Sequence, residues 1–207
     1  MIEEKTVFEN LKKLRETTKK RNFDQTLDLI INLKNFDLKR DGFNIFIELP
    51  NKIKDKKIAG FFEKDLKYVD TIKKDDFVKY KEKKDIKKLV KKYDFFIADI
   101  KLMPLVATTF GRILGPLGKM PSPQLGIIKN DEEDIKEIIK KINHSVRIRT
   151  KEPSIKVGVG KESMKDEEIV KNILSVLNAI IEKLPKKKEN IKNVQIKFSM
   201  GKPITIK

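Results

Sequence analysis

Phe23-Asp-Gln-Thr-Leu-Asp-Leu-Ile-Ile-Asn-Leu33 is the stretch from which the fold is read. Leu27, Leu29, Ile31 and Leu33 take alternate positions, with Asp28, Ile30 and Asn32 between them. Successive side chains of a strand point to opposite faces, so this period of two predicts a strand with one apolar face. Upstream, Val7, Phe8, Leu11 and Leu14 recur at helical spacing and predict an amphipathic helix over residues 4–20. Downstream, Asp41-Gly42 turns the chain into a second strand with Phe43, Ile45, Ile47 and Leu49 on one face. Pro50-Asn51 ends it, because proline has no N–H to give to a ladder.

The texture then changes. Residues 52–92 are dense in lysine, with short apolar pieces such as Ile58 to Phe62. Phe95-Phe-Ile-Ala98 reads as a buried strand, Leu102 to Leu114 as a helix, and Gly115 to Pro123 as a loop. Ile135, Ile138, Ile139 and Ile142 mark another helix, with Asn130 or Asp131 as its expected cap. Strand–helix–strand alternation predicts an α/β unit. After Pro153 the first texture returns. Ile155, Val157 and Val159 alternate as a strand. Ser163 and Asp166 resemble a capping box for a helix over 166–184, and Val194, Ile196 and Phe198 form a last long strand. Gly201 permits a turn before Ile204 and Ile206.

The fold class is therefore α/β in the broad sense (α+β), and the length suits one large domain or two of about 100 residues each. The strands before and after the middle can share one sheet, which would make the middle an insertion. A tandem of two domains fits the periodicity equally well.

The formal net charge is +17 over 207 residues, a field that attracts polyanions, nucleic acid first. The plain alternative is a lysine-rich solvated surface. Residues 1–51 and 154–207 carry +7 and residues 52–153 carry +10, so net charge does not select the binding segment.

Cysteine is absent, which removes thiol catalysis, disulfides and thiolate metal sites. Met1-Ile-Glu-Glu-Lys5 has no basic region followed by an apolar stretch, so no signal peptide is expected, and no run approaches the roughly 18 apolar residues of a membrane span. A soluble, cytoplasmic protein with no membrane partner is expected. His144, the sole histidine, sits in Asn-His-Ser, where a helix-end or solvent-facing role is expected. No Gly-Lys-Ser/Thr follows a glycine loop and no Gly-x-Ser-x-Gly is present, so no enzyme, cofactor or metal is expected.

Three segments carry candidate chemistry. Gly111-Arg-Ile-Leu-Gly-Pro-Leu-Gly-Lys-Met-Pro-Ser-Pro123 is the most distinctive. Its glycines would let backbone amides approach an anion beside Arg112 and Lys119, or it is a rigid structural loop; composition leaves both open. In Phe23-Asp-Gln-Thr26 an exposed phenylalanine can pack on a ribose or base, while Thr26 bonds a phosphate or 2′-hydroxyl. On pattern alone, Phe23 stapling the preceding helix to the core is favoured. Ser199-Met-Gly-Lys202 can lie flat on the shallow minor groove of RNA, or is a plain strand-ending turn.

In order and spacing, Phe23-Asp-Gln-Thr26, the segment from Gly111 to Pro123, Val159-Gly-Lys161 and Phe198-Ser-Met-Gly201 together resemble the ribosomal protein L-one family, archaeal branch. The resemblance covers nearly the whole chain, and the glycine–proline segment is its most specific part. It implies a first domain built from both termini, 1–51 and 154–207, and an inserted Rossmann-like domain, 52–153, which favours insertion over tandem. The segment from Phe61 to Val69 looks shortened. By position, the RNA-contacting residues would be Phe23, Gln25, Thr26, Lys156, Gly158, Ser199, Met200 and Gly201. Asn22 stands where many members carry a basic residue. The signature residues would be Gly111, Arg112, Gly115, Pro116, Gly118 and Pro121. The implied role is structural, in the mobile stalk of the large ribosomal subunit. The implied partners are large-subunit rRNA, exit-site tRNA and the protein's own mRNA, with the free protein a monomer. A non-ribosomal mRNA-binding regulator is the alternative, and a nucleotide-using enzyme on the α/β segment a third class.

Overall fold

A computed structural model describes residues 3–66, 68–80, 82–123, 125–128 and 132–206. Val7, Leu11 and Leu14 bury one stripe of helix α1 (Glu4–Thr17), and the alternation after Phe23 becomes strand β1 (Thr26–Leu33). A one-turn helix α2 (Leu38–Asp41), capped by the Asp37 carboxylate, leads into β2 (Asn44–Glu48). The middle of the chain forms β3 (Ile58–Phe61), β4 (Asp70–Ile72), α3 (Lys83–Lys92) and β5 (Phe95–Asp99). It continues through α4 (Met103–Leu117), β6 (Ile127–Ile128) and α5 (Glu132–His144). The last third gives β7 (Ser145–Arg149), β8 (Ser154–Lys161), α6 (Asp166–Lys183), β9 (Ile191–Phe198) and β10 (Ile204–Thr205). The fold is mixed α and β, and it divides into two compact units: Met1–Ile53 with His144–Lys207, and Lys54–Asn143.

The first unit is built on an antiparallel sheet in the order β10-β9-β1-β8. β1 comes from the N-terminal segment and lies between two strands of the C-terminal segment. Its buried residues Leu27, Leu29, Ile31 and Leu33 join Ile155, Val157, Val194, Ile196 and Phe198 in one core with α1 and α6. The period of two sends Thr26, Asp28, Ile30 and Asn32 to the opposite, partly exposed face. Neighbouring strands add Lys156, Gly158, Gln195 and Lys197 to that face, since Asp28 pairs with Gly158 and Lys197, and Ile30 with Lys156 and Gln195. One buried amide crosses the core side. The Asn172 side chain accepts from the Asn51 N–H at 3.0 Å and donates to the carbonyls of Asn51 and Val159 at 3.0 and 2.9 Å. Its polar atoms are thus all used, as burial requires.

The second unit is an all-parallel sheet, β4-β3-β5-β6, with α3 and α4 packed on one face and α5 on the other. Phe61, Phe77, Phe96 and Phe110 fill the first of these cores, their ring centroids 5.0–5.8 Å apart along the cluster. Parallel strands need crossovers, and the helices supply them while covering the sheet.

Several sequence expectations change. β2 does not join the four-stranded sheet; it forms a separate two-stranded ladder with β7. β7 falls in the stretch read as the middle segment, and the first unit resumes at His144 rather than after Pro153. Val146 and Ile148 alternate with Arg147 and Arg149, but only over four residues, too short a period to stand out. Helix α4 runs to Leu117, so Gly115 to Leu117 is helix and not loop, with Pro116 tolerated one residue before the end. Ser163 does not cap α6: the N-cap position is Lys165, without a side-chain cap, and Ser163 bonds Asp24 instead. Asn130 and Asp131, expected as caps of α5, lie outside the described residues.

Candidate RNA interface

The site is assembled where β1 begins and where β8 and β9 end. Antiparallel pairing puts these three chain segments at one end of the sheet. The Thr26 carbonyl accepts from the Ser199 N–H at 3.0 Å and from the Ser199 hydroxyl at 3.2 Å. The Gly201 N–H closes the turn on the Phe198 carbonyl at 2.8 Å. Gln25 ties the turn to β8. Its Oε1 accepts from the Met200 N–H at 3.3 Å and its Nε2 donates to the Glu162 carboxylate at 3.1 Å. The backbone repeats the link, with the Glu162 N–H donating to the Gln25 carbonyl at 2.8 Å.

Asp24 fastens the other side. Its carboxylate accepts from the Ser163 N–H at 3.0 Å and the Ser163 hydroxyl at 2.9 Å, and pairs with Lys161 at 3.1 Å. Desolvation pushes the Asp24 pKa up, but the bonds from Lys161 and Ser163 outweigh it and hold the group below the ordinary carboxylate value. Beneath the platform, the Arg15 guanidinium donates to Asp166 at 2.7 Å and to the carbonyls of Glu162 and Met164 at 2.8 and 2.9 Å. It also lies over the Phe198 ring at 5.9 Å. All this bracing leaves two apolar side chains in solvent. Phe23 is 54% exposed and Met200 is 62% exposed. Part-buried and exposed hydrogen bonds thus hold the backbone under two side chains that stand largely in solvent.

The residues expected at the contact surface divide accordingly. Phe23, Thr26, Ser199, Met200 and Gly201 come together at this end of the sheet, and Phe23 is not a staple to the core. Lys156 and Gly158 lie on the adjoining sheet face, with Lys156 paired to Glu152 at 3.3 Å. Gly158 sits under Thr26: a Cβ there would meet the Thr26 methyl at 3.1 Å. Gln25 departs from the expectation. It is fully buried and its carboxamide is spent inside the protein, so it positions Met200 and presents no surface. Sequence reasoning misses Arg15 and Glu162, and the bracing roles of Asp24, Lys161 and Ser163, whose partners lie more than a hundred residues away. Arg15 had a signal: it is one of six arginines in a lysine-rich chain, and only arginine offers the planar fork used here.

Charge around the platform is predominantly positive. Lys19, Lys20 and Arg21 are exposed just before Phe23, and Lys197 and Lys202 stand on the β9 side. Asp28 is the carboxylate on the sheet face. Desolvation raises its pKa, opposed by Lys197.

The glycine–proline segment belongs to the second unit, and most of it has an internal explanation. Gly118 adopts φ 71 as the left-handed cap of α4, where its N–H and that of Lys119 bond the carbonyls of Gly115 and Leu114 at 3.0 and 2.9 Å. Lys119 does not wait for phosphate; its ammonium donates to the carbonyls of Val90 and Tyr93 at 2.7 Å each, closing the end of α3. Pro121 is buried, and Arg112, Gly115 and Pro116 are exposed on α4. At Gly111 and Gly115 an added Cβ would meet nothing within 4 Å, so packing does not explain these two glycines.

Among the described residues no group of three or more His, Asp or Glu side chains could hold a metal ion, and no helix is long and apolar enough to cross a membrane. The His144 Nδ1 lies 3.3 Å from the Leu49 carbonyl, a structural contact at the end of α5.

Comparison with known proteins agrees with the geometry. Residues 11–202 match the Ribosomal protein L1p/L10e family. A protein of Pyrococcus abyssi named large ribosomal subunit protein uL1 is 36% identical over 212 residues, covering 97% of this chain and 95% of that protein. Proteins of the same name from Methanothermococcus thermolithotrophicus and Nanoarchaeum equitans are 36% and 37% identical, covering 99% and 96% of this chain and 99% and 98% of their own lengths. A match over almost the whole length, at that identity, makes this chain a member of the Ribosomal protein L1p/L10e family, a family of ribosomal proteins and not of enzymes.

Proposed function

We propose that the chain is a structural component of the large ribosomal subunit and grips a stem and internal loop of large-subunit rRNA with its first unit. The observation that carries this reading is the pair Phe23 and Met200, both exposed on a backbone held rigid by Thr26, Gln25 and Ser199. Apolar side chains on a braced backbone, beside hydroxyls, suit the wide minor groove of A-form RNA, where 2′-hydroxyls and sugar faces are displayed. Thr26 and Ser199 supply the hydroxyls, Gly201 gives close approach, and Lys156 stands on the flanking face. The basic run before Phe23 adds salt-dependent affinity through phosphate contacts. The unit made of both termini is the RNA-binding domain in this reading, and Lys54–Asn143 is an inserted domain of the stalk beside the tRNA exit site. The finer roles belong to the same proposal: assistance to release of deacylated tRNA, repression through a mimic of the rRNA site in the protein's own mRNA, a monomeric free state and a cytoplasmic location.

Titration of the full chain with a structured rRNA stem-loop and with a scrambled RNA tests the specific site; equal affinity at moderate salt sinks it. Met200→Asp places a carboxylate against phosphate and weakens stem-loop binding by about 1–3 kcal/mol without changing the fold. A folded Met200→Asp chain of parental affinity contradicts the contact. Cosedimentation with large subunits separates this reading from a regulator that acts on mRNA alone.

A further inference from the structure

The second unit carries a cationic ridge that its own packing does not use. Helix α3 has the sequence Lys-Lys-Asp-Ile-Lys-Lys-Leu-Val-Lys-Lys from Lys83 to Lys92. Ile86, Leu89 and Val90 face the core, so the helical period turns Lys84, Lys87, Lys88 and Lys91 outward, and all four are exposed. Lys88 pairs with Asp85 at a long 3.5 Å, and Lys84, Lys87 and Lys91 have no acidic partner among the described residues. Ammonium groups repeat over about 10 Å of helix from Lys84 to Lys91. A charge run of this kind by itself is a solvated face. This one, however, leads into a cavity with an aromatic rim.

The ridge ends at Lys92, which lines a cavity of about 510 Å³ together with Lys57, Leu66, Tyr68, Asp70 and Tyr93. Tyr68 is 56% exposed at its rim, an aromatic ring left in water. The Lys136 ammonium stands 4.7 Å from the Tyr68 ring centroid. On the cavity wall Lys92 lies 4.8 Å from the Tyr93 ring centroid and 3.8 Å from Asp70. Asp70 is already engaged, since it also accepts from the Tyr93 hydroxyl at 2.6 Å. The one carboxylate in the cavity is therefore neutralised locally, and Lys57 and Lys136 remain beside an exposed ring.

We infer that the α3 ridge and the Tyr68 cavity form a second nucleic-acid surface, which takes a single-stranded RNA segment with one base on Tyr68 and its phosphates along Lys84, Lys88 and Lys91. A basic track combined with an exposed ring is the arrangement that binds single strands without reading sequence: lysines follow the backbone and the ring stacks a base. An acidic peptide would use the lysines but not the ring. The surface is independent of the Phe23–Met200 platform, so the two claims fail separately.

The test is binding of a labelled oligoadenylate of roughly ten nucleotides to the full chain, by anisotropy, over a range of salt. Tyr68→Ala weakens it about tenfold, while Tyr68→Phe keeps the ring and parental affinity. Lys84→Glu with Lys88→Glu and Lys91→Glu lowers the slope of log affinity against log salt by about two. The chain has three tyrosines and no tryptophan, so loss of tyrosine emission on binding, absent in Tyr68→Phe, reports the stacked ring directly. Met200→Asp leaves oligoadenylate binding unchanged, and Tyr68→Ala leaves stem-loop binding unchanged. Parental oligoadenylate affinity in Tyr68→Ala, or an unchanged salt slope in the lysine variant, overturns the inference. Polyglutamate that displaces the oligonucleotide equally from the parent and from Tyr68→Ala assigns the surface to acidic peptides, and overturns it as well.

Discussion

Gln25 separates a contact role from a positioning role, and Gln25→Glu is the change that does so. The substitution keeps shape but replaces the Nε2 donor by an oxygen. That oxygen faces the Glu162 carboxylate at the 3.1 Å now spanned by a hydrogen bond. Two unit charges at this separation repel by about 5 kcal/mol at an effective dielectric of roughly 20. The pair has an escape: one carboxylate takes up a proton and donates to the other. From an ordinary glutamate pKa of about 4.3, holding that proton at neutral pH costs about 4 kcal/mol, at roughly 1.4 kcal/mol per pH unit. The smaller figure sets the ceiling. Glu162 is partly exposed and turns away in part, so the expected destabilisation at neutral pH is about 2–4 kcal/mol. The sign with pH is definite. The folded pKa of the new pair lies above the unfolded one, so the penalty is full above the folded value and vanishes as pH falls to the unfolded value. Urea unfolding of Gln25→Glu against the parent, at neutral and acid pH, measures both magnitude and sign. Stem-loop affinity should fall at neutral pH because repulsion from Glu162 displaces the carboxylate that would otherwise still accept from the Met200 N–H. Phe23→Ala is the control: an exposed ring is lost, affinity falls and the unfolding midpoint stays. A Gln25→Glu chain with the parental midpoint at neutral pH and no RNA binding would refute the argument, and would put Gln25 on the RNA.

Three other outcomes are expected from the same structure. Asp28→Asn should melt higher than the parent at neutral pH, because desolvation raises the Asp28 pKa and so penalises its charged form; the two melting temperatures should converge as pH falls below the ordinary 3.8. Lys119→Met should cost the second unit about 1–3 kcal/mol by unpairing the carbonyls of Val90 and Tyr93, with stem-loop affinity unchanged; proteolysis rates of residues 83–92 report it. Burial lowers the Lys56 pKa to about 8, so its ammonium is penalised in the folded chain below that value, and the parent should gain stability relative to Lys56→Met as pH rises from 8 towards 10.5. A stability gap that is flat across this window contradicts the burial of the charge.

What was legible in the sequence is what local periodicity encodes. Leu27 to Leu33 alternate because one face of β1 lies on a core, and α6 is apolar on a wide stripe because it packs between sheet and helix. The parallel strands β3 and β4 were harder: four and three residues long, they show no full period before the chain turns. Helix α3 reads in the sequence only as a lysine-dense run, since six of its ten residues are lysine and its apolar stripe is three side chains wide. Periodicity ends α4 too early because glycine and proline disfavour helix interiors, yet Gly115 is helical and Pro116 sits in the final turn, where little is lost. Phe23 and Met200 were legible as candidate contacts but not as exposed. Exposure depends on what comes back to cover a side chain, and that information lies in the distant pairing of β1 with β8 and β9.

That pairing also explains why the platform divides its work as it does. Each side chain proposed to face RNA is local to a strand end, while each brace is long-range: Asp24 to Ser163, Gln25 to Glu162, Thr26 to Ser199, Arg15 to Glu162. β1 lies inside the sheet, so neither the N-terminal nor the C-terminal segment can form the platform alone. A chain ending before β9 would leave β1 with an unpaired edge and the Thr26 carbonyl without Ser199. The RNA binding proposed for the first unit therefore requires the C-terminal strand, and a truncated chain should present neither Met200 nor a braced Phe23. Arg15 carries the same logic into α1. Its three bonds draw on Asp166, Glu162 and Met164, so the helix that opens the chain locks only after the 162–166 turn has folded. The binding surface and the completed fold of this unit are one event.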